Sequence, residues 1–320
     1  MPATAISSDT QRLPSPALRR FAWGVLVYFI ATILWGTLVR ATGSGDGCGN
    51  HWPLCNDTVM QVSPSVSTII EFTHRLTTGI SGLVVVCLLI WVVKGTVRGH
   101  LARAAAWASV VFTVIEGMLG AFLVKLGLTA QSHSPLRPAY LSLHLTNTLL
   151  LLAALTLTAH LLSRSQGYLR TDIRLVSPFG AVAGIFVVMI VGVTGSLAAL
   201  GDTLFPETSL SLALAQDFAS TSGWLVRWRW MHPTVAFLAS ILLLWLLIHA
   251  VRRGGTHWDN RRLSALVLFL LATVFSLGLL DVVLLAPLWL QVAHLACADA
   301  LWVSLVVLTA RLTLQPREAA

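Results

Sequence analysis

The chain has 320 residues, of which 56% are hydrophobic and 11% charged, with a formal net charge of +8 and a mean hydropathy of +0.79. Soluble domains carry roughly 25% charged residues and disordered chains are poor in apolar ones, so both classes are excluded and a polytopic membrane protein remains. At about 20 apolar residues per spanning helix the length allows about eight spans and no sizeable soluble domain, and the basic excess reads as membrane orientation, not as nucleic-acid binding.

Residues 1–20 are polar and end in Arg12, Arg19 and Arg20. They are too short and too irregular for an organelle transit peptide, which favours a bacterial plasma membrane. Hydropathy then predicts spans over 21–39, 69–93, 104–124, 139–162, 175–200, 229–250, 263–283 and 288–310. No A-x-A cleavage site follows the first run, so it reads as a helix and not as a signal peptide. With the N-terminus inside, inner segments hold fifteen Lys and Arg residues against five in outer segments. Such a bias places both termini in the cytoplasm and loops 40–68 and 201–228 outside.

The sequence contains an internal repeat. Val39–Ser44 and Val191–Ser196 match at an offset of 152 and are expected to end the first and fifth spans. Leu119-Gly120 matches Leu277-Gly278 at an offset of 158, the offset that also separates His74 from His232. His144 and His294 are 150 apart. Four helices are thus duplicated, each copy entering from the inside, which implies parallel repeats about an axis along the membrane normal. The expected fold class is an all-α polytopic membrane protein of two tandem pseudo-symmetric four-helix bundles. The divisions are a tail at 1–20, bundles at 21–163 and 164–311, and a tail at 312–320.

Of ten histidines, six fall in loops or near inner helix ends. The other four, His74, His144, His232 and His294, lie four to six residues inside the second, fourth, sixth and eighth spans. At roughly 1.5 Å rise per residue they share one depth. Ionisable residues inside a membrane are costly and mark function. A single such histidine is more often a hydrogen-bonded core residue, but one on each even span, paired by a repeat, is not explained that way. Two histidines from two neighbouring helices per bundle suit bis-imidazole ligation of a haem iron. Haem carboxylates need cations, and Arg40, Arg75, Arg227 and Arg229 lie at the outer level, where snorkelling to the interface is the plainer alternative.

The halves differ at one position. Glu71 precedes His74 by three residues, on the same helix face, and the repeat-equivalent residue is Arg229. A carboxylate there can accept protons or steady a cation; alternatively it pairs with Arg75 one turn on. Glu116, in the third span, is a second intramembrane acid. Cys48 and Cys55 sit in a Gly-rich loop on the oxidising side, where a disulfide is plausible chemistry, either as a staple or in a redox role. Cys87 and Cys297 read as packing residues.

The run L-V-R-A-T-G-S-G-x-G-C-G-N-x-W-P-L-C over 38–55, E-F-T-H-R over 71–75 and the single histidines of the fourth, sixth and eighth spans together resemble the haem A synthase family, over about 21–310. The resemblance implies a substrate haem in the first half with His74 and His144 as ligands and Glu71 as catalytic carboxylate. A haem b cofactor would be ligated by His232 and His294, and Cys48 and Cys55 would form the first-loop pair. It implies oxidation of the C8 methyl of haem O to the formyl group of haem A. Histidines on both iron faces leave no open site for oxygen unless one ligand leaves, so removal of electrons with water as the oxygen source is the expected route. Expected partners are haem O synthase as donor, terminal oxidase assembly as recipient, membrane lipid and an electron acceptor of unknown identity; self-association into a homo-oligomer stays open. Some members carry a second-half cysteine pair that this chain lacks, and the chain has Glu116 where Gln is expected in the family pattern. The rival readings are a diheme electron-transfer protein without chemistry on the haem, which leaves Glu71 and the cysteine loop unexplained, and a transporter.

Overall fold

The computed structural model describes residues 14–55, 63–130, 132–164, 173–175, 178–253 and 258–316. Residues 1–13 and 317–320 of the two expected tails, with Arg12 and Arg317, lie outside the described residues, as do Arg170 and His257.

Eight helices are long and apolar enough to cross a membrane, and the chain is a multi-pass membrane protein. Their order is α1 (Pro16–Ala41), α2 (Val66–Gly95), α3 (Leu101–Lys125), α4 (Leu136–Leu162) and α5 (Pro178–Leu204), then two short helices, α6 (Leu210–Phe218) and α7 (Trp224–Arg227), then α8 (Met231–Arg253), α9 (Trp258–Val283) and α10 (Leu288–Thr313). Two three-residue strands, β1 (Ile173–Leu175) and β2 (Leu314–Pro316), pair antiparallel.

Helix ends follow local chemistry that hydropathy does not register. α1 begins five residues before its apolar run because Ser15 accepts a hydrogen bond from Leu18 N–H and Pro16 occupies the first turn, where its missing donor costs nothing. Ser65 caps α2 in the same way through Thr68 N–H. Gly43, at φ 65°, turns the chain out of α1 in the left-handed region that glycine adopts without steric penalty.

Two sequence expectations need correction here. Val191–Ser196 does not end the fifth span; α5 continues to Leu204, so this motif is mid-helix while Val39–Ser44 is a helix end. Apolarity of 197–204, with only Asp202 charged, lets the helix run two further turns. Loop 201–228 is not a plain loop either, since it contains α6 and α7.

α1 packs on α2 and α4, α2 on α3, and α3 on α4; α5 packs on α8, α8 on α9, α9 on α10, and α10 on α5. Between the sets, α4 meets α5 and α10, and α1 meets α10. The larger core cluster accordingly joins Leu26, Leu88, Leu152 and Leu155 with Trp302 and Val306 of α10. Buried Trp302 donates its indole N–H to Leu149 O at 2.8 Å. α4 is the enclosed helix: 72% of its apolar window is buried, against 6% for α9. α9 instead exposes large apolar side chains such as Phe269 and Leu279, as a lipid-facing helix does.

Candidate functional site

The four histidines lie near the N-terminal ends of α2, α4, α8 and α10, and each ring lies nearest a glycine of the preceding long helix. A Cβ built on Gly36 of α1 would come within 3.0 Å of His74 Cε1; on Gly195 of α5, within 3.0 Å of His232 Cε1; on Gly278 of α9, within 3.0 Å of His294 Cε1; on Gly120 of α3, within 4.0 Å of His144 Cε1. Only glycine lets the backbone approach the first three rings this closely. The matching Leu-Gly pairs at 119 and 277 carried half of this pattern in the sequence. Gly36 was missed, because the motif at 39–44 drew the alignment to Gly43; the contact with the ring makes Gly36 the counterpart of Gly195, at an offset of 159.

His232 and His294 face one another with ring centroids 6.4 Å apart and planes at 86°. Two imidazoles each about 2.0–2.1 Å from one shared metal atom place their centroids about 6 Å apart, so this pair fits axial ligation of a haem iron. The Nδ1 atoms of His74, His144 and His294 are buried without a hydrogen-bond partner, and Thr194 Oγ1 is 3.2 Å from His232 Nδ1. Among the described residues no group of three or more His, Cys, Asp or Glu is placed to hold a metal ion.

Glu71 is 3% exposed and fully engaged. Oε2 accepts the Cys48 N–H at 2.8 Å, and Oε1 accepts Arg75 Nη2 at 2.5 Å and Nε at 3.1 Å. Arg75 continues outward, donating through Nη1 to His51 O at 2.5 Å and Leu54 O at 2.8 Å. The ion pair weighed against a chemical role therefore exists, but it is one side of a carboxylate whose other side holds the cysteine loop. Cys48 and Cys55 form a disulfide with Cα atoms 4.4 Å apart. Thr68 Oγ1 donates to Gly47 O at 2.8 Å, and a Cβ on Gly47 would lie 2.5 Å from the Ser67 backbone, so the loop is pressed directly onto α2. α1 grips the same stretch of α2: Trp35 Nε1 donates to Ile70 O and Tyr28 OH to Thr77 O, at 3.1 and 2.8 Å, bracketing His74.

The arginines divide. Arg40 reaches from α1 to the other helix set, donating through Nη1 to Ala199 O at 2.9 Å and Thr203 Oγ1 at 2.7 Å, and through Nη2 to Gln291 Oε1 at 2.7 Å. Gln291 is one turn outward of His294. Arg229 is buried and ties the outer segment of its own half: Nε to Asp217 at 2.7 Å, Nη2 to Gln216 at 2.6 Å, and Nη1 to Phe205 O at 3.2 Å and Asp202 at 3.4 Å. Arg227 is exposed. Glu116 lies beside one of the four histidines. Its Oε1 is 3.5 Å from His144 Nδ1, and its carboxylate accepts Asn147 Nδ2 at 2.5 Å and the Thr148 hydroxyl. No spacing signal joins residues 116 and 144; the contact arises from packing of α3 on α4.

On the outer side, a cleft of about 140 Å³ opens between the two sets, lined by Ser132, His133 and Arg137 against Phe205, Trp224 and Leu225. None of the four site histidines lines it.

The profile of the COX15-CtaA family, described as cytochrome oxidase assembly protein, matches residues 19–306. A protein of Thermus thermophilus named protoheme IX farnesyltransferase is 38% identical over 301 residues, which are 92% of this chain and 49% of that protein. A heme A synthase of Bacillus mycoides is 29% identical over 307 residues, 90% of this chain and 92% of that protein. A heme A synthase of Alkalihalophilus pseudofirmus is 39% identical over 134 residues, 42% of this chain and 41% of that protein. The chain spans about half the length of the Thermus relatives it matches. With its profile matched over nearly the whole described length, the chain belongs to the COX15-CtaA family of cytochrome oxidase assembly proteins.

Proposed function

We propose that the protein is a haem A synthase, an oxidoreductase that converts the C8 methyl of haem O to a formyl group. The observation that carries this reading is Glu71: a buried carboxylate one turn from His74, tied to the disulfide loop through Cys48 N–H, in one half only. Relatives named heme A synthase support the substrate pair.

In this reading the substrate half, 21–163, is built of α1–α4 with α1 starting earlier, at Pro16, and the cofactor half, 164–311, of α5–α10 with α10 running on to Thr313, the two related by a pseudo-two-fold axis. His74 and His144 hold the substrate iron from two helices; His232 and His294 hold a haem b. Bound there, haem b supplies one-electron redox chemistry. Oxidation of the methyl adds one water and releases four protons and four electrons in total, the electrons passing to an external electron acceptor, through a hydroxymethyl stage and a hydrate that loses water. Glu71 takes up the departing protons and steadies cationic charge on the substrate, a role suited to an acid fixed by directed donors. Arg75 and the Cys48 amide orient its two oxygens, and the disulfide loop shields that face from water. Arg40, Arg75, Arg227 and Arg229 lie on the side of the haem carboxylates in this reading, where exposed Arg227 is the candidate contact, Arg75 and Arg229 being paired with Glu71 and with Asp217 and Asp202 and Arg40 with α5 and α10. Both termini lie in the cytoplasm of a bacterial cell. Haem O synthase is the donor and terminal oxidase assembly the recipient.

Glu71→Gln protein, made with a haem O source, should bind haem O but yield little haem A, read by extraction and mass spectrometry. Normal haem A yield would remove Glu71 from the chemistry. Two haem b per chain in the unaltered protein, with haem O available, would favour a diheme electron carrier, which the four histidines alone equally fit.

A further inference from the structure

The four histidines are not held alike. His74, His232 and His294 each press against a glycine whose added Cβ would stand at 3.0 Å, so each ring is walled by backbone on that side. At Gly120 the corresponding distance to His144 is 4.0 Å, an ordinary contact distance that a methyl group would fill. The neighbour of His144 is Glu116, whose Oε1 at 3.5 Å from Nδ1 lies just beyond hydrogen-bond length. Glu116 itself is fixed by Asn147 and Thr148, which are buried on the turn of α4 after His144, and Asn147 is further held by donating to Phe112 O at 2.9 Å. The carboxylate is therefore an immobile rest beside a ring with room to move.

We propose that His144 is the exchangeable ligand of the first-half site and His74 the fixed one, with Glu116 as the positioning residue that receives the His144 ring when it leaves the iron. This rests on reading the first half as the substrate site. A substrate haem must enter and its product leave at every turnover, whereas a cofactor stays. Two walled ligands suit the resident group; one walled and one free ligand suit a group in transit.

The test uses full-length protein made with a haem O source, purified in detergent, reduced and mixed with carbon monoxide. An iron with two imidazole ligands takes up carbon monoxide only after one leaves, so the uptake rate reads ligand release. One haem per chain should react in the unaltered protein. Glu116→Leu should change that rate by about tenfold, the usual scale for an outer partner of a metal ligand, while Glu116→Gln, which keeps an acceptor oxygen, should restore it. Gly120→Ala, which fills the gap beside the ring, should slow uptake, and Gly278→Ala should make the second haem reactive. If Glu116→Leu does not fold, Gly120→Ala decides. A first-half haem inert to carbon monoxide, or a rate unmoved by Gly120→Ala, overturns the proposal alone. A His232→Ala protein that holds no haem would show that the first half binds none, overturning the substrate-site reading and this proposal together.

Discussion

Glu71 and Arg229 are opposite in charge, yet they do the same mechanical work. Glu71 sits in the second turn of α2 and Arg229 in the turn between α7 and α8, and each binds a connecting segment of its own half, Glu71 through Cys48 and Arg229 through Gln216, Asp217 and the Phe205 carbonyl. The first half secures its segment further with a disulfide; the second uses α6 and ionic contacts. Cys48→Ser should therefore act on Glu71 as well as on stability. We expect a loss of about 2 kcal/mol, typical for opening a short disulfide loop, read by thermal melts in detergent, together with reduced haem A yield at unchanged haem binding. The histidines and Glu71 were legible because an ionisable group stands out in an apolar run. Their partners were not: Cys48 contributes a backbone N–H, and the acids that hold Arg229 come from a segment whose hydropathy gives no hint of its helices. Glu116 stood out as an intramembrane acid, but its neighbour His144 lies on another helix, and only packing joins them.

Among the elements, the spans were legible and their ends less so, because caps and not hydropathy set them. α3 illustrates this. Its N-cap is His100, 7% exposed, whose Nδ1 accepts the Ala102 N–H at 3.1 Å. Burial, and then the nearby Arg103 cation, hold the imidazole below its usual range. A folded value below the unfolded one, about 6.5, means that the stabilisation is complete above that pH and is lost as pH falls toward the folded value. Protonated Nδ1 cannot accept. Acidification should thus release the Ala102 amide, measured by hydrogen exchange, at a cost of about 1 kcal/mol. His100→Asn should keep the cap without the pH dependence; identical profiles for the two proteins would exclude the histidine as the cause. The four-fold glycine seating was half legible, since two Leu-Gly pairs shared the histidine offset while Gly36 carried no motif of its own.

At the level of the whole molecule, the two helix sets share a core. Trp302 of α10 lies among the leucines of α1, α2 and α4, and Arg40 of α1 is bonded entirely to α5 and α10. A repeat in the sequence suggests independent units, but cross-set contacts through long side chains leave no periodic trace, so this joining was not legible. Arg40→Met should weaken the association of the sets, costing about 1–3 kcal/mol, the scale for acceptors left without their charged donor, with loss of haem from the second half preceding loss from the first on heating. The small sheet has a different consequence. β1 opens the second set and β2 closes it, with Ile173 directly opposite Pro316, so the two ends of that set are adjacent in space. Adjacent ends are the condition under which a chain tolerates circular permutation. A gene in which a short linker joins 316 to 173, with the break moved between α8 and α9 and the pieces produced together, should still yield a full haem complement. The order of these helices along the chain is then a matter of descent, and their arrangement around the histidines is what the chemistry requires.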